Sequence, residues 1–250
     1  MMPFDDRGLL LGDGLFETIL ARDGKLILFE DHIDRMQRSC MALGLPAPDT
    51  GDARDLCQQM LDESGFRSGR AAVRLTMTAG SGGRGLDRPE QVEPHIFAMA
   101  FASPRPVGPV ALVTSEVRRN EGSPSARLKT LSYVDSVLAR RMSSPAEALL
   151  LNNRGEIACA AAANIFWLRG GQLFTPHRDC GVLDGVMRRQ VMAIASVEEV
   201  QAPRAMLESV DALFLTNSLM GIRSVAILDG APMRTHARVS ELTAALEAVS

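Results

Sequence analysis

Lysine is almost absent from this chain. Only Lys25 and Lys129 are lysines among the 27 basic residues. Arginine stays protonated in proteins, whereas a lysine amine can be made neutral by its surroundings and can then attack a carbonyl group or take up a proton. Lys25 adjoins Asp23 and Gly24, a predicted hairpin turn in which a solvated cation is ordinary. Lys129 lacks that explanation, so we expect a chemical role for it, with a structural ion-pair network as the alternative.

Other absences argue against whole classes of protein. The formal net charge of −3 is not the basic excess expected of a nucleic-acid binder. No run approaches the roughly 20 apolar residues of a membrane helix, and the N-terminus lacks the order of a signal peptide, so we expect a cytoplasmic protein without membrane contact. The four cysteines show no Cys-x-x-Cys or Cys/His spacing, which argues against a disulfide scaffold and against a metal site.

The composition indicates a folded chain of two domains. A hydrophobic fraction of 46% over 250 residues is enough to build substantial cores. Residues 103–109 contain three prolines, which cannot continue a helix or a central strand, so we place a linker there. The expected domains are a small one over residues 1–102 and a larger one over 110–250. Strands outnumber helices in the second half, which indicates an α+β fold with antiparallel sheet.

Hydrophobic periodicity predicts the elements. A β-hairpin is expected over 14–22 and 25–28, with helices over 30–43 and about 52–64. Ser132 and Asp135 form a capping pair for a helix that follows Lys129. The other expected strands are 71–78, 95–102, 110–117, 146–151, 156–160, 164–168, 172–175, 212–216 and 222–228, and the other expected helices are 184–196 and 239–249.

Three segments carry groups suited to anions. The glycine-rich loop 80–85 contains Arg84, which could hold a substrate carboxylate, with a flexible turn as the alternative. Residues 180–188 place glycines before a helix start, where free N–H groups suit a phosphate, and residues 216–218 add polar side chains after a strand. Together with a selected lysine, two anion sites suggest pyridoxal phosphate, a phosphorylated aldehyde held by a Schiff base.

Five segments resemble, in order and spacing, the class IV (fold type IV) pyridoxal-phosphate enzymes. They are residues 12–18 (Gly-Asp-Gly-Leu-Phe-Glu-Thr), 29–36 (Phe-Glu-Asp-His-Ile-Asp-Arg-Met), 127–129 (Arg-Leu-Lys), 163–167 (Ala-Asn-Ile-Phe-Trp) and 181–188. That family includes branched-chain and D-amino acid aminotransferases and 4-amino-4-deoxychorismate lyase. The resemblance implies a small α/β domain, a larger antiparallel-sheet domain, a small-molecule amine substrate and a homodimer.

The resemblance also implies roles for individual residues. Lys129 would form the Schiff base with pyridoxal 5′-phosphate and move the proton, and Arg35 would bind the cofactor phosphate. His32 would be a structural support beside Arg35. The remaining phosphate ligands would be the backbone N–H groups of Val186 and Met187 together with Asn217 and Ser218.

One position departs from the family pattern. The family places a glutamate five residues before the asparagine of Asn-Ile-Phe, where it pairs with the pyridine nitrogen and keeps it protonated. Here Cys159 stands five residues before Asn164. A thiol with a reference pKa near 8.5 is a poorer anion than a carboxylate, so the protonated ring should be less favoured. Glu156 lies three residues earlier, and strand alternation predicts that it points to the opposite face.

Small features favour one member of the family. The loop 80–85, the Leu-Lys-Thr-Leu run at 128–131 and the Ala-Asn-Ile-Phe-Trp run are most similar to 4-amino-4-deoxychorismate lyase, which forms 4-aminobenzoate and pyruvate. An aminotransferase of the branched-chain or D-amino acid type is the second interpretation. A cofactor-binding protein with degenerate activity is the third, and Cys159 motivates it.

Overall fold

A computed structural model describes residues 3–249, which fall into two compact units. The first unit contains the residues up to Arg105 together with Leu128–Ser132, and the second contains Pro106–Arg127 and the residues from Tyr133 onward. The sequence prediction placed the whole of 110–250 in the second domain. The segment 128–132 groups with the first unit because its backbone pairs with a strand of that unit.

The first unit is a four-stranded antiparallel sheet with two long helices on one face. Its sheet has the order β2-β1-β3-β4. The elements of the unit are α1 (Arg7–Leu11), β1 (Gly14–Arg22), β2 (Lys25–Leu26), α2 (Phe29–Leu43), α3 (Thr50–Glu63), β3 (Arg70–Thr78) and β4 (His95–Ala102). Alternate residues of β1 and β3 face these helices, as period-2 spacing dictates. Leu15, Ile19, Val73, Leu75 and Met77 pack there in one core with residues of α2 and α3.

The second unit is built around a nine-stranded mixed sheet. Its strands run in the order β10-β9-β8-β11-β12-β5-β6-β7, with β13 paired to β12. The elements are β5 (Val110–Thr114), α4 (Val134–Ser143), β6 (Glu147–Leu151), β7 (Ile157–Ala160), β8 (Asn164–Arg169), β9 (Gln172–Pro176), α5 (Val186–Ile194), β10 (Val197–Val200), β11 (Ala212–Asn217), β12 (Gly221–Leu228), β13 (Ala231–Pro232) and α6 (Ala237–Val249). The α+β class is confirmed. Three strand pairs of this sheet are parallel, where only antiparallel pairing was expected.

Aromatic packing fixes the middle of the larger sheet. Phe166 on β8 and Phe214 on β11 stack with ring centroids 5.1 Å apart, and both are fully buried. Trp167 stacks on Phe174 at 6.0 Å on the other side of β8. Rings at such distances contribute beyond the area they bury, so β8 is held on both faces.

Two local features differ from the predictions. Helix α4 begins at Val134 with Tyr133 at its N-cap and no side-chain cap, so the predicted capping role of Ser132 is wrong. Ser132 ends the segment that pairs with β1, and the helix starts only after it. In β7 the register skips Ala158, which forms a β-bulge. Within residues 3–249, no helix combines the length and apolar character that crossing a membrane requires.

Candidate active site

The lysine segment is fixed to β1 by its backbone. The carbonyl of Lys129 accepts a hydrogen bond from the Phe16 N–H at 3.0 Å, and the N–H of Leu131 donates to the Gly14 carbonyl at 3.0 Å. Residues 129–131 therefore extend the edge of the sheet as a short additional strand. The Lys129 amine lies 4.1 Å from the centroid of the Phe16 ring. The pairing with β1 thus fixes the backbone position of Lys129 and places its amine against the Phe16 ring.

A second cation lies at the same ring. The Arg74 guanidinium carbon on β3 is 3.6 Å from the Phe16 centroid. Arg74 pairs in register with Thr18, so it is diagonal to Phe16 on one face of the sheet. Two basic side chains around one buried ring make the local potential positive, which suits an anionic group. The sequence analysis missed Arg74, because only the register of β1 against β3 reveals its position.

Glu17, the residue that follows Phe16 on β1, belongs to a buried cluster of polar side chains. Glu17 receives hydrogen bonds from Arg35 Nε at 2.8 Å, from Arg35 Nη2 at 2.5 Å and from His32 Nδ1 at 2.7 Å. Glu17 and His32 are 1% exposed, and Arg35 is 7% exposed. His32 and Arg35 lie three residues apart, on one face of α2. The predicted structural role of His32 now has a specific form, which is support of the carboxylate that binds Arg35.

The charges of this cluster follow from its contacts. Burial raises the pKa of the Glu17 carboxyl, but the Arg35 guanidinium and the His32 hydrogen bond outweigh burial, and the pKa falls to about 2. Burial lowers the pKa of His32, and the Arg35 and Lys129 cations lower it further against the effect of Glu17. His32 is therefore neutral at pH 7. Since an ionised carboxylate can only accept, Nδ1 of His32 carries the ring proton.

The low pKa of Glu17 predicts that acid destabilises the fold. Because the pKa of Glu17 in the folded protein lies below the ordinary value of 4.5, its carboxylate stabilises the fold at pH values above 4.5. That stabilisation is lost as the pH falls toward 2. The free energy of urea unfolding should therefore be lower at about pH 3 than at about pH 6. In Glu17→Gln, the difference in the free energy of unfolding between the two pH values should be smaller, because the titrating carboxyl is gone. Identical pH dependence in both proteins would assign the effect to other groups.

In the second unit, the start of α5 has the properties of an anion site. Gly185 is its N-cap in an extended conformation, and no side chain caps the helix. Val186 and Met187 open the helix and are buried. Asn164 Nδ2 donates to the Leu183 carbonyl at 2.9 Å, which braces the approach to the helix. A Cβ on Gly185 would lie 2.0 Å from Asn164 Oδ1, so any larger residue there would displace the Asn164 side chain.

The end of β11 lies in register with Asn164 and adds polar groups. The Oδ1 atom of Asn217 accepts from the N–H groups of Leu219 and Met220, and its Nδ2 donates to the Ala162 carbonyl at 3.0 Å. Asn217 therefore braces two turns, and Ser218 lies within one of them. Thr216 Oγ1 is buried and has no hydrogen-bond partner among residues 3–249. An orphaned buried hydroxyl beside an uncapped helix fits a phosphate, and the sequence analysis did not assign Thr216.

Cys159 is a partly buried thiol. It packs against the cluster of Ala158, Cys180 and Val182. Burial raises the pKa of the Cys159 thiol, and the Arg119 guanidinium opposes that effect only in part. Arg119 Nε also donates to the Gly181 carbonyl at 2.9 Å. The side chain at this position is therefore a neutral thiol at pH 7, where the family pattern has a carboxylate.

Glu156 lies just before β7 and contacts the Cys180 thiol at 3.7 Å. The bulge at Ala158 interrupts the alternation of side chains along β7. Alternation therefore does not place Glu156 on the face opposite Cys159, as the sequence predicted. Instead, Glu156 is held by its own turn. It accepts from Asn152 Nδ2 at 2.7 Å and from Arg154 Nη2 at 2.8 Å.

The glycine-rich loop is shaped from within the first unit. The buried Arg7 donates to the carbonyls of Leu86 and Asp87, both at 3.0 Å, and its Nε pairs with Asp13 at 3.0 Å. Arg84 makes a backbone pair with Asp87, and its side chain is exposed. The loop is therefore held in shape by Arg7, which sequence reasoning missed, and binding of a substrate carboxylate by Arg84 stays a prediction.

Comparisons with known proteins agree over most of the chain. The sequence model of the family described as amino-transferase class IV matches residues 14–228. A protein of Methanocaldococcus jannaschii described as a putative branched-chain-amino-acid aminotransferase is 33% identical over 254 residues, covering 97% of this chain and 87% of that protein. Aminodeoxychorismate lyase of Bacillus subtilis is 30% identical over 234 residues, covering 89% and 79%. The crystal structure of a putative 4-amino-4-deoxychorismate lyase from Legionella pneumophila matches with a TM-score of 0.94 at 27% identity, covering 100% and 96%.

Proposed function

This chain belongs to the class IV aminotransferase family, and we propose that within the family it is a lyase that converts 4-amino-4-deoxychorismate to 4-aminobenzoate and pyruvate. The B. subtilis relative and the L. pneumophila structure, whose descriptions name this lyase, support the proposal. The loop 80–85 and the 128–131 run support it from the sequence. The M. jannaschii relative favours the alternative, an aminotransferase on the same fold.

Pyridoxal 5′-phosphate is the cofactor of this family, and it supplies an aldehyde together with an electron-withdrawing ring. The residues present fit it. The uncapped start of α5 and the orphaned Thr216 hydroxyl suit a phosphate. The observation that carries the assignment is Lys129, one of only two lysines, anchored on β1 with its amine against a buried ring.

Each remaining residue has a proposed task. Lys129 would hold the cofactor covalently, and its amine would move a proton at the substrate. Arg35, which Glu17 holds in place, is the proposed side-chain partner of the cofactor phosphate. Arg84 and Arg74 are the candidates for substrate carboxylates, since Arg84 is exposed in the glycine-rich loop and Arg74 lies against the ring that the Lys129 amine contacts.

A coupled assay of the purified protein separates the two activities. Incubation with aminodeoxychorismate should release pyruvate and 4-aminobenzoate in equal amounts, without any need for a 2-oxo acid. Transfer of an amino group from a branched-chain or D-amino acid to 2-oxoglutarate should be slow by comparison. The reverse pattern would assign the protein to the aminotransferases. If both reactions fail while the cofactor binds, the third interpretation applies, a binding protein that has lost turnover.

Removing the Arg35 guanidinium should weaken cofactor binding. A charge-assisted hydrogen bond contributes roughly 1.5–3 kcal/mol, so Arg35→Ala should raise the Kd for pyridoxal 5′-phosphate about ten- to a hundredfold. Titration of the cofactor-free protein, followed by visible absorbance, measures this. Arg38→Ala on the exposed side of the same helix is the matched control, and it should leave the Kd unchanged. An unchanged Kd in Arg35→Ala would remove Arg35 from the phosphate site.

We also propose that the protein is a homodimer. Helix α4 exposes Val134, Val137, Leu138 and Met142, which share one face at helical spacing. An apolar face of this kind is typical of a surface covered in an assembly. Val137→Glu should therefore shift the protein toward a monomer, as measured by light scattering after size-exclusion chromatography. Arg67→Glu, a change of charge at an exposed position outside α4, is the control.

A further inference from the structure

Glu17 binds more donors than a simple ion pair requires. Its two oxygens take three hydrogen bonds from α2, of which two come from Arg35 and one from His32. The two bonds from Arg35 form a fork, which fixes the guanidinium plane as well as its position. All three side chains are buried, so water does not compete for these hydrogen bonds. The carboxylate therefore determines where Arg35 stands.

The same stretch of β1 also determines where Lys129 stands. Phe16 precedes Glu17, its N–H binds the Lys129 carbonyl, and its ring lies 4.1 Å from the Lys129 amine. Phe16 and Glu17 are neighbours on β1, so one short stretch of the strand contacts both the Lys129 amine and the Arg35 guanidinium. One dipeptide thus fixes both groups that would hold the cofactor in this unit.

We propose that Glu17 is a positioning residue that sets Arg35 in place for the cofactor phosphate, in fixed relation to Lys129. This inference rests on the proposed cofactor site. A buried guanidinium without a counter-ion is strongly disfavoured, so loss of the Glu17 charge displaces Arg35 from its present position. His32 contributes by holding the second oxygen of the carboxylate, and as a neutral ring it adds no competing charge.

Pyridoxal, which lacks the phosphate, distinguishes positioning from a purely structural role. If Glu17 acts through the phosphate, Glu17→Gln should raise the Kd for pyridoxal 5′-phosphate about ten- to a hundredfold and change the Kd for pyridoxal by less than about twofold. Both constants come from absorbance titration of the cofactor-free protein. An equal loss for both ligands, or no loss for either, would overturn the proposal.

A matched control is present in the same unit. Asp6 is also a buried carboxylate, with bonds from His95 Nδ1 and Thr78 Oγ1 at 2.7 Å each. Asp6→Asn should lower the thermal stability and leave the ratio of the two Kd values unchanged. If Glu17→Gln does not fold, Glu17→Asp replaces it, because the shortened carboxylate keeps the charge and cannot keep the fork. Equal discrimination against pyridoxal in Glu17→Asp and the wild type would then overturn the proposal.

A double variant tests whether the effect runs through Arg35. The Kd of Glu17→Gln/Arg35→Ala for pyridoxal 5′-phosphate should equal that of Arg35→Ala alone, since the residue that Glu17 positions is gone. An additional loss in the double variant would contradict the proposal. Failure of the cofactor assignment itself is seen separately, because the wild type would then show no covalent attachment at Lys129.

Discussion

Replacing Lys129 with alanine should abolish covalent attachment of the cofactor and lower turnover by at least about a thousandfold. The amine is the group that attaches the aldehyde and moves the proton, and no other lysine belongs to the 128–132 segment or to the buried face of the sheet. Borohydride reduction of the wild type, followed by peptide mapping, should place the pyridoxyl group on the peptide that contains Lys129. Lys129→Ala should carry no label.

Lys25→Ala is the internal control for that experiment. Lys25 lies in the short strand β2, is exposed and pairs in register with Arg22. Its removal should leave labelling and turnover unchanged. A pyridoxyl group on Lys25, or on neither lysine, would refute the assignment of Lys129, and with it the cofactor site.

Restoring a carboxylate at position 159 should produce the second large effect. Burial keeps Cys159 a neutral thiol, so the ring nitrogen would face no anion in the wild type. A carboxylate next to that nitrogen favours its protonated form and strengthens the ring as an electron acceptor. Cys159→Glu should therefore raise the rate of α-proton exchange on the order of a hundredfold, as expected for one well-placed electrostatic group. Exchange of the substrate α-proton with deuterated solvent, followed by NMR, measures this.

Space is the main risk for Cys159→Glu, and an uncharged variant of the same size controls for it. The thiol packs among small residues, including Ala158 and Ala161, so a longer side chain must displace neighbours. Cys159→Gln adds the same bulk without the charge and should show no gain in exchange. If the Glu variant folds, binds cofactor and exchanges no faster than the Gln variant, then the chemistry does not depend on a protonated ring.

Much of this site was visible in the sequence, because its residues lie in contiguous motifs. The family, the α+β class and the use of pyridoxal phosphate are confirmed from five short segments. The start of α5 was predicted from glycines that precede a helical pattern, and the structure begins that helix at Val186. Motifs of this kind need no knowledge of distant contacts.

The missed features are those that depend on pairing between distant segments. Glu17 meets Arg35 only because β1 packs under α2, and Arg74 meets Phe16 only through the register of β1 against β3. Ser132 had the sequence of a helix cap, but pairing of the preceding residues with β1 delays the helix to Val134. Local propensity yields here to a long-range backbone contact, which a pattern along the chain does not contain.

The pairing of residues 129–131 with β1 also affects the order of events during synthesis. The Lys129 carbonyl and the Leu131 N–H bond to Phe16 and Gly14, so this edge of β1 is completed only when the ribosome has produced residue 131. Chains grow at about 5–20 residues per second, so the nascent first unit carries an open strand edge for a matter of seconds. Open edges recruit other strands, and a chaperone that shields this one would act in that interval. The segment that carries Lys129 thus also completes this edge of β1.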